Sequence, residues 1–221
     1  MGLLEVQNLS YKYGRGAYVL KEINLSFQAG KVYVLLGESG AGKTTLLSLL
    51  AGLDVCSGGC ISYNGRDIKT LNRDNYRATQ VGMVFQQFNL LHRFNAVDNV
   101  LIAMEISRYK ITKPRQYAEK QLEDLGINAV MRRRKVVELS GGEQQRVAIA
   151  RALSHQPTVV LADEPTGSLD NDNRRSIMNS LTKAAGRDNR CVIISTHSKT
   201  VAEYADEVIL LNKPLVTQTT P

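Results

Sequence analysis

The stretch Gly37-Glu38-Ser39-Gly40-Ala41-Gly42-Lys43-Thr44 constrains this chain more than any other. It reads G-x-x-x-x-G-K-T, the pattern of a phosphate-binding loop. The run before it, Val32 to Leu36, is short, apolar and β-prone, as a buried strand would be. The run after it, Thr45 to Ala51, suits a helix that Gly52 can end. Strand, glycine-rich loop and helix are the context the motif requires. Gly37, Gly40 and Gly42 let the backbone curl, so that the N–H groups of the loop, Glu38, Ser39, Ala41 and Thr45 among its residues, turn toward phosphate oxygens. The helix N-terminus adds partial positive charge. Lys43 brings a full charge to the β- and γ-phosphates, and the Thr44 hydroxyl suits Mg²⁺. A glycine-rich turn matching this pattern by chance is expected on the order of once in a hundred such chains, before the flanking context is counted.

Composition sets outer bounds. A chain of 221 residues can form one sizeable α/β domain. No apolar run reaches the length of a membrane span, and the N-terminus lacks signal-peptide character, so a cytoplasmic location is expected. Cys56 and Cys60 are spaced C-x₃-C without a second ligand pair, which with Cys191 reads as free thiols rather than a metal site. The net charge of +7 points to an anionic neighbour, whether ATP, phospholipid or nucleic acid.

Along the chain, Leu3 to Ser10 and Val19 to Phe27 read as strands, with a turn-rich stretch from Ser10 to Gly16 between them. Cys60 to Tyr63 is another strand, followed by the Asn64-Gly65 hairpin signal. These predict an antiparallel layer built from both sides of the phosphate loop. Val81 to Phe85 reads as a buried strand. Residues Phe88 to Glu138 read as a helical insertion: Val97, Val100, Leu101 and Met104 share a face, Pro114 opens a second helix and Gly126 closes it. Ser140 and Glu143 have capping-box spacing, predicting a helix to about His155. Val159 to Ala162 is an apolar strand closed by Asp163-Glu164, where a carboxylate positioned toward Mg²⁺ is expected. A helix from Asn171 to Ala185, a core strand at Cys191 to Ser195 and a last strand at Glu207 to Leu211 follow. The alternation predicts an α/β fold with a mostly parallel core sheet, as a single domain over 1–221 carrying the helical insertion at about 88–138.

The phosphate loop, Gln86, Leu139-Ser140-Gly141-Gly142-Glu143-Gln144, Asp163-Glu164, Ser168-Leu169-Asp170 and His197 stand in the order and spacing of an ABC-transporter ATPase subunit, which this chain resembles over nearly its whole length. The L-S-G-G-x-Q stretch is diagnostic among P-loop families. The wording of 161–170 and 84–91 is similar to a subgroup serving macrolide export, lipoprotein release and antimicrobial-peptide export, and to a cell-division ATPase that pairs with a membrane protein without moving a substrate.

The resemblance implies a P-loop ABC ATPase fold, ATP and Mg²⁺ as ligand and metal, and two copies sandwiching two ATP molecules. It implies a separate transmembrane permease as partner and a position on the inner face of the cell membrane. Carried onto this sequence, each ATP lies on the phosphate loop of one copy and under Ser140-Gly141-Gly142, with Glu143 and Gln144, of the other. Tyr13 is placed to stack on adenine, with Tyr11 as the fallback. Thr44, Gln86 and Asp163 hold Mg²⁺, Glu164 activates water, His197 contacts the γ-phosphate and Asp170 lines the seam. Three departures stand out: Ser198 where the family usually has Asp, Val137 where Pro is common, and Asn212-Lys213-Pro214 in place of a usual Asp-Gly-Arg or Asp-Gly-Lys turn. A soluble ABC-type ATPase of translation or DNA repair usually carries two cassettes or a coiled-coil insertion, which this chain lacks. A regulatory module that switches a membrane complex without transport remains an alternative to an exporter of peptide, lipoprotein or drug. Between Arg108 and Lys135, nine basic residues face three acidic ones. That run reads as a solvated helix face or as a surface near anionic headgroups. Few aromatics and no binding motif accompany it, so no nucleic-acid partner is expected.

Overall fold

The computed structural model describes residues 2–167 and 169–212. Its strands are β1 (Leu4–Lys12), β2 (Tyr18–Phe27), β3 (Val32–Leu36), β4 (Gly58–Tyr63), β5 (Arg66–Asp67), β6 (Val81–Val84), β7 (Val159–Asp163), β8 (Cys191–Thr196) and β9 (Glu207–Leu210). Its helices are α1 (Lys43–Leu50), α2 (Arg73–Gln80), α3 (Ala96–Ile106), α4 (Pro114–Asp124), α5 (Ala129–Arg133), α6 (Gly141–Leu153), α7 (Asn171–Gly186) and α8 (Lys199–Ala202).

Two sheets form. One is antiparallel, in the order β2-β1-β4-β5, and the other is parallel, in the order β6-β7-β8-β3-β9. Period-two alternation decides which face of the parallel sheet each residue serves. Tyr33, Leu35, Val159, Leu161, Cys191 and Ile193 point to the side where α1 and the antiparallel sheet pack. Val32, Val34, Val160, Ala162, Val192 and Ile194 point to the other side, under α6 and α7. Both faces are therefore dry, which is why these strands read as continuous apolar runs rather than alternating ones. Leu46, Leu47, Leu49 and Leu50 of α1 are all buried between the sheets, so the helix that starts at the phosphate loop has little freedom to shift.

The third core is helical. Val97, Val100 and Met104 of α3 meet Ala118 and Leu122 of α4 and Val147, Ala148 and Ala150 of α6. Because Ile149, Ala152 and Leu153 of α6 belong to the sheet core, α6 is shared between the two. The buried Asn99 clamps the entry to this region: its Oδ1 accepts from Leu91 N at 2.8 Å and its Nδ2 donates to Leu91 O at 3.2 Å.

Some expectations hold and others need adjustment. The first strand runs through Lys12, so the turn is confined to about 13–16. The Asn64-Gly65 turn has both residues at positive φ, 48° and 74°, the geometry its hairpin needs. Helices α2, α5 and α8 had no counterpart in the sequence reading. The last strand is β9, parallel to β3. Ser168, Lys213, Pro214 and the tail from Thr217 lie outside the described residues.

Candidate functional site

Four neighbouring strands, β6, β7, β8 and β3, end on the same edge of the parallel sheet. Ligands of open α/β sheets bind outside such carboxyl ends. The loop after β3 is the phosphate loop, and the close packing around it accounts for its glycines. A Cβ on Gly37 would lie 2.3 Å from the Leu211 carbonyl oxygen. Gly42, at φ +89°, caps α1, and a Cβ there would meet Leu20 at 2.8 Å. Lys43 is buried, and its Nζ donates to the carbonyls of Gly37 (2.8 Å) and Glu38 (2.9 Å), so the ammonium is curled back into its own loop.

The end of β7 supplies two carboxylates with different surroundings. Asp163 is 6% exposed, and its Oδ1 accepts from the hydroxyls of Thr44 (3.1 Å) and Ser195 (2.5 Å). The β7–β8 register pairs Asp163 with Ser195, which fixes that contact. Among the described residues Asp163 forms no ion pair. A buried carboxylate held only by neutral hydroxyls has room for a cation, and an all-oxygen set with Thr44 suits Mg²⁺. Glu164 sits at φ +44°, an uncommon conformation for a non-glycine residue. Its Oε1 meets His197 Nδ1 at 2.9 Å, and its Oε2 accepts from Thr196 Oγ1 at 3.2 Å. Its side chain is 13% exposed, whereas that of His197 is 68% exposed.

A cavity of about 1010 Å³ joins these groups, large enough for a nucleotide-sized ligand. Of the predicted residues it is lined by Tyr13, Ser39, Gly40, Gly42, Lys43, Thr44, Thr45, Gln86, Glu164 and His197. Asp163 lies beneath its floor through Thr44. Gly37, Glu38 and Ala41 shape the loop without lining the cavity. Tyr13 stands at the rim, edge-on to Tyr11 with ring centroids 4.9 Å apart, and its hydroxyl is 3.1 Å from Thr45 Oγ1. The Tyr11 hydroxyl is bonded to Asp54, which pushes its pKa up to about 12 and holds Asp54 below the usual carboxylate range. Tyr11 is buried, so Tyr13 is the free aromatic face of the pair. Gln86 is exposed beside the cavity.

Ser140, Gly141, Gly142, Glu143, Gln144 and Asp170 do not line this cavity. The capping box forms, with Ser140 N donating to Glu143 Oε2 (2.8 Å) and Glu143 N donating to Ser140 Oγ (3.4 Å). Gln144 donates to Leu139 O at 2.9 Å. Asp170 caps α7 and binds Asn173 through N–H (2.8 Å) and Nδ2 (2.7 Å), bonds that lower its pKa. Asn173 in turn accepts from Arg146 at 2.5 Å and lies against Gly142, so 140–146 and 170–173 are one connected surface. Sequence reasoning missed Ser195 and Thr196 as supports of the two carboxylates; their position at a strand end immediately before His197 was the available signal. It also missed Val19, Gln87, Phe88, Gln145 and Leu169 in the cavity wall.

A glycine loop opening a helix, a buried Asp held by hydroxyls and a Glu–His pair at adjacent strand ends define a P-loop ATPase. The family model described as "ABC transporter" matches residues 20–167. The chain is 41% identical to the uncharacterized ABC transporter ATP-binding protein YclH of Bacillus subtilis, over 96% of this chain and 95% of that one. It is 35% identical to the lipoprotein-releasing system ATP-binding protein LolD of Anaplasma marginale, over 98% of each. Its fold is similar to the dimeric structure of the ABC transporter cassette MJ0796, with a TM-score of 0.88 and 33% identity over 94% of each chain. The chain belongs to the ABC transporter family, as an ATP-binding ATPase subunit. Among the described residues no helix is long and apolar enough to cross a membrane.

Proposed function

We propose that this subunit works as a pair of copies that close on two Mg²⁺-ATP molecules and, by hydrolysing them, power a separate transmembrane partner that exports a peptide, lipoprotein or drug. The observation that carries the reading is the split between two halves of a site. The cavity is lined by Lys43, Thr44, Glu164 and His197, the groups this reading assigns to phosphate and water. The capped N-terminus of α6, whose N–H groups suit a γ-phosphate, does not line it. That helix end has a use if it serves the ATP of a second copy. The dimeric form in which the MJ0796 cassette was seen supports this.

In this scheme Tyr13 stacks on adenine, and the loop 37–45 holds the phosphates, with Lys43 exchanging its carbonyl contacts for phosphate oxygens. Thr44, Gln86 and Asp163 would hold Mg²⁺, which would supply positive charge to offset that of the phosphates. Glu164 takes the proton of the attacking water, held in line by Thr196 and His197. His197, the more exposed of the pair, reaches the γ-phosphate. Asp170, with Asn173, lines the seam beside Gly142. Residues 88–138 act as a unit that turns with α6 as the pair closes, and the 88–94 segment receives the membrane partner. The basic run lies near anionic headgroups. The similarity to LolD, the ATP-binding protein of a lipoprotein-releasing system, supports the substrate class.

Two variants separate the halves. Lys43→Ala should abolish binding of a fluorescent ATP analogue. Ser140→Arg should bind the analogue normally and fail to pair in ATP. Ser140→Arg chains that pair as well as the unaltered protein would refute the shared site.

A further inference from the structure

The helix α6 also reaches its own cavity. Five residues after the Ser140 cap, Gln145 turns inward, is 2% exposed and lines the cavity wall with Gln86, Gln87, Phe88 and Leu169. Its Nε2 is buried and has no hydrogen-bond partner. Of its neighbours, Gln144 is bonded to Leu139 O, and Arg146 binds Asn173 through Nη1 while its own Nε has no partner; of these unpartnered groups Gln145 is the one on the cavity wall. An amide buried without an acceptor is costly, and such a group is retained where another state supplies the acceptor.

The neighbouring segment of the cavity wall carries backbone strain. Phe88 and Asn89 are consecutive non-glycine residues at positive φ, 59° and 49°. Their carbonyls are pinned by Arg151 at 2.8 and 2.5 Å, while the side chain of Gln86 just before them is exposed. Strain concentrated in two residues beside an exposed, cavity-lining side chain is the kind that clusters at ligand clamps and switch regions.

We propose that Gln145 is a positioning residue: when the Gln86–Phe88 segment closes on nucleotide, it brings the acceptor that Gln145 Nε2 lacks, and this bond sets α6 in the orientation that presents Ser140-Gly141-Gly142 to the second copy. The proposal rests on the cavity being the nucleotide site and on the α6 end serving the other copy. It ties α6 to two nucleotides, to its own copy's indirectly through Gln145 and the Gln86–Phe88 segment, and to the partner copy's directly through its N-terminus. Occupancy of one site then favours completion of the other.

The test compares the unaltered chain with Gln145→Leu and Gln145→Met, which keep the side-chain volume and remove the donor. Melting temperature is read with and without saturating Mg²⁺-ATP, alongside kcat and KM. Without nucleotide both variants should melt at or above the unaltered protein, because the orphan donor is gone. The ATP-induced rise should shrink, and kcat should fall about tenfold, the scale of one hydrogen bond made only in the closed state, while KM stays within about twofold. Variants that melt lower without nucleotide yet keep the full ATP-induced rise and kcat would overturn the proposal and leave Gln145 as ordinary packing. A Lys43→Ala control distinguishes the underlying reading. If that variant keeps the ATP-induced rise, the cavity is not the nucleotide site, and the role of Gln145 falls with it.

Discussion

Replacing Glu164 with Gln should remove turnover and leave the fold almost untouched. Each carboxylate oxygen has one partner: Oε1 meets His197 Nδ1 at 2.9 Å, and Oε2 meets Thr196 Oγ1 at 3.2 Å. Thr196 Oγ1 also accepts from Ser198 N at 3.1 Å, and its hydroxyl can rotate. The amide can therefore accept from His197 and donate toward Thr196 without moving. Exchanging hydrogen bonds to a charged acceptor for neutral ones costs about 1 kcal/mol in this half-open setting. For a chain of this size that is a fall in Tm of roughly 2–4 °C. Losing the general base costs about 10²- to 10⁴-fold in kcat, or roughly 2.7–5.4 kcal/mol of barrier. Phosphate release gives kcat, a fluorescent ATP analogue gives affinity and calorimetry gives Tm. Turnover within roughly threefold of the unaltered protein, with affinity intact, would mean that another group activates the water.

Charge and pH give two further outcomes. Neutralising Arg133, Arg134 and Lys135, which are exposed and make no ion pair among the described residues, should weaken binding to anionic liposomes by on the order of 10²-fold at low salt, at about 1 kcal/mol per charge. Basal ATPase activity should be unchanged; unaltered liposome binding would make the run a solvated face. Arg132 is left out because it donates to the Glu119 carbonyl at 2.7 Å. Leu91, exposed in the 88–94 segment, changed to Glu should weaken co-purification with the membrane partner, whereas Leu90 is buried and would report on folding instead. The pKa of His155 is lowered by burial first, with the Arg190 charge adding and the Val81 carbonyl opposing. Its unfolded form takes a proton near pH 6.5 while the folded form stays neutral, so stability should fall as pH drops through about 6.5. His155→Asn should flatten that slope in chemical-denaturation curves, and an unchanged slope would assign the acid loss to other groups.

How far the sequence reaches depends on the kind of signal each part carries. The phosphate loop, the Ser140–Glu143 capping box and the Asn64-Gly65 turn are local chemistry, and all three stand where their residues place them. Buried parallel strands announce themselves as apolar runs because both faces are covered. Helix α2 is nearly all polar, with Tyr76 its one buried residue, so no apolar stripe marks it. Helices α5 and α8 are too short to show a period. The Asp163–Ser195 contact depends on strand register, and the free Nε2 of Gln145 depends on what surrounds it; neither is written in residue order.

The paired arrangement is tested most directly by light scattering on the Glu164→Gln chain, which holds ATP without consuming it. The expected mass is 24.4 kDa without nucleotide and twice that with Mg²⁺-ATP, the change being lost on adding Lys43→Ala. A chain that stays at 24.4 kDa in saturating Mg²⁺-ATP would contradict it.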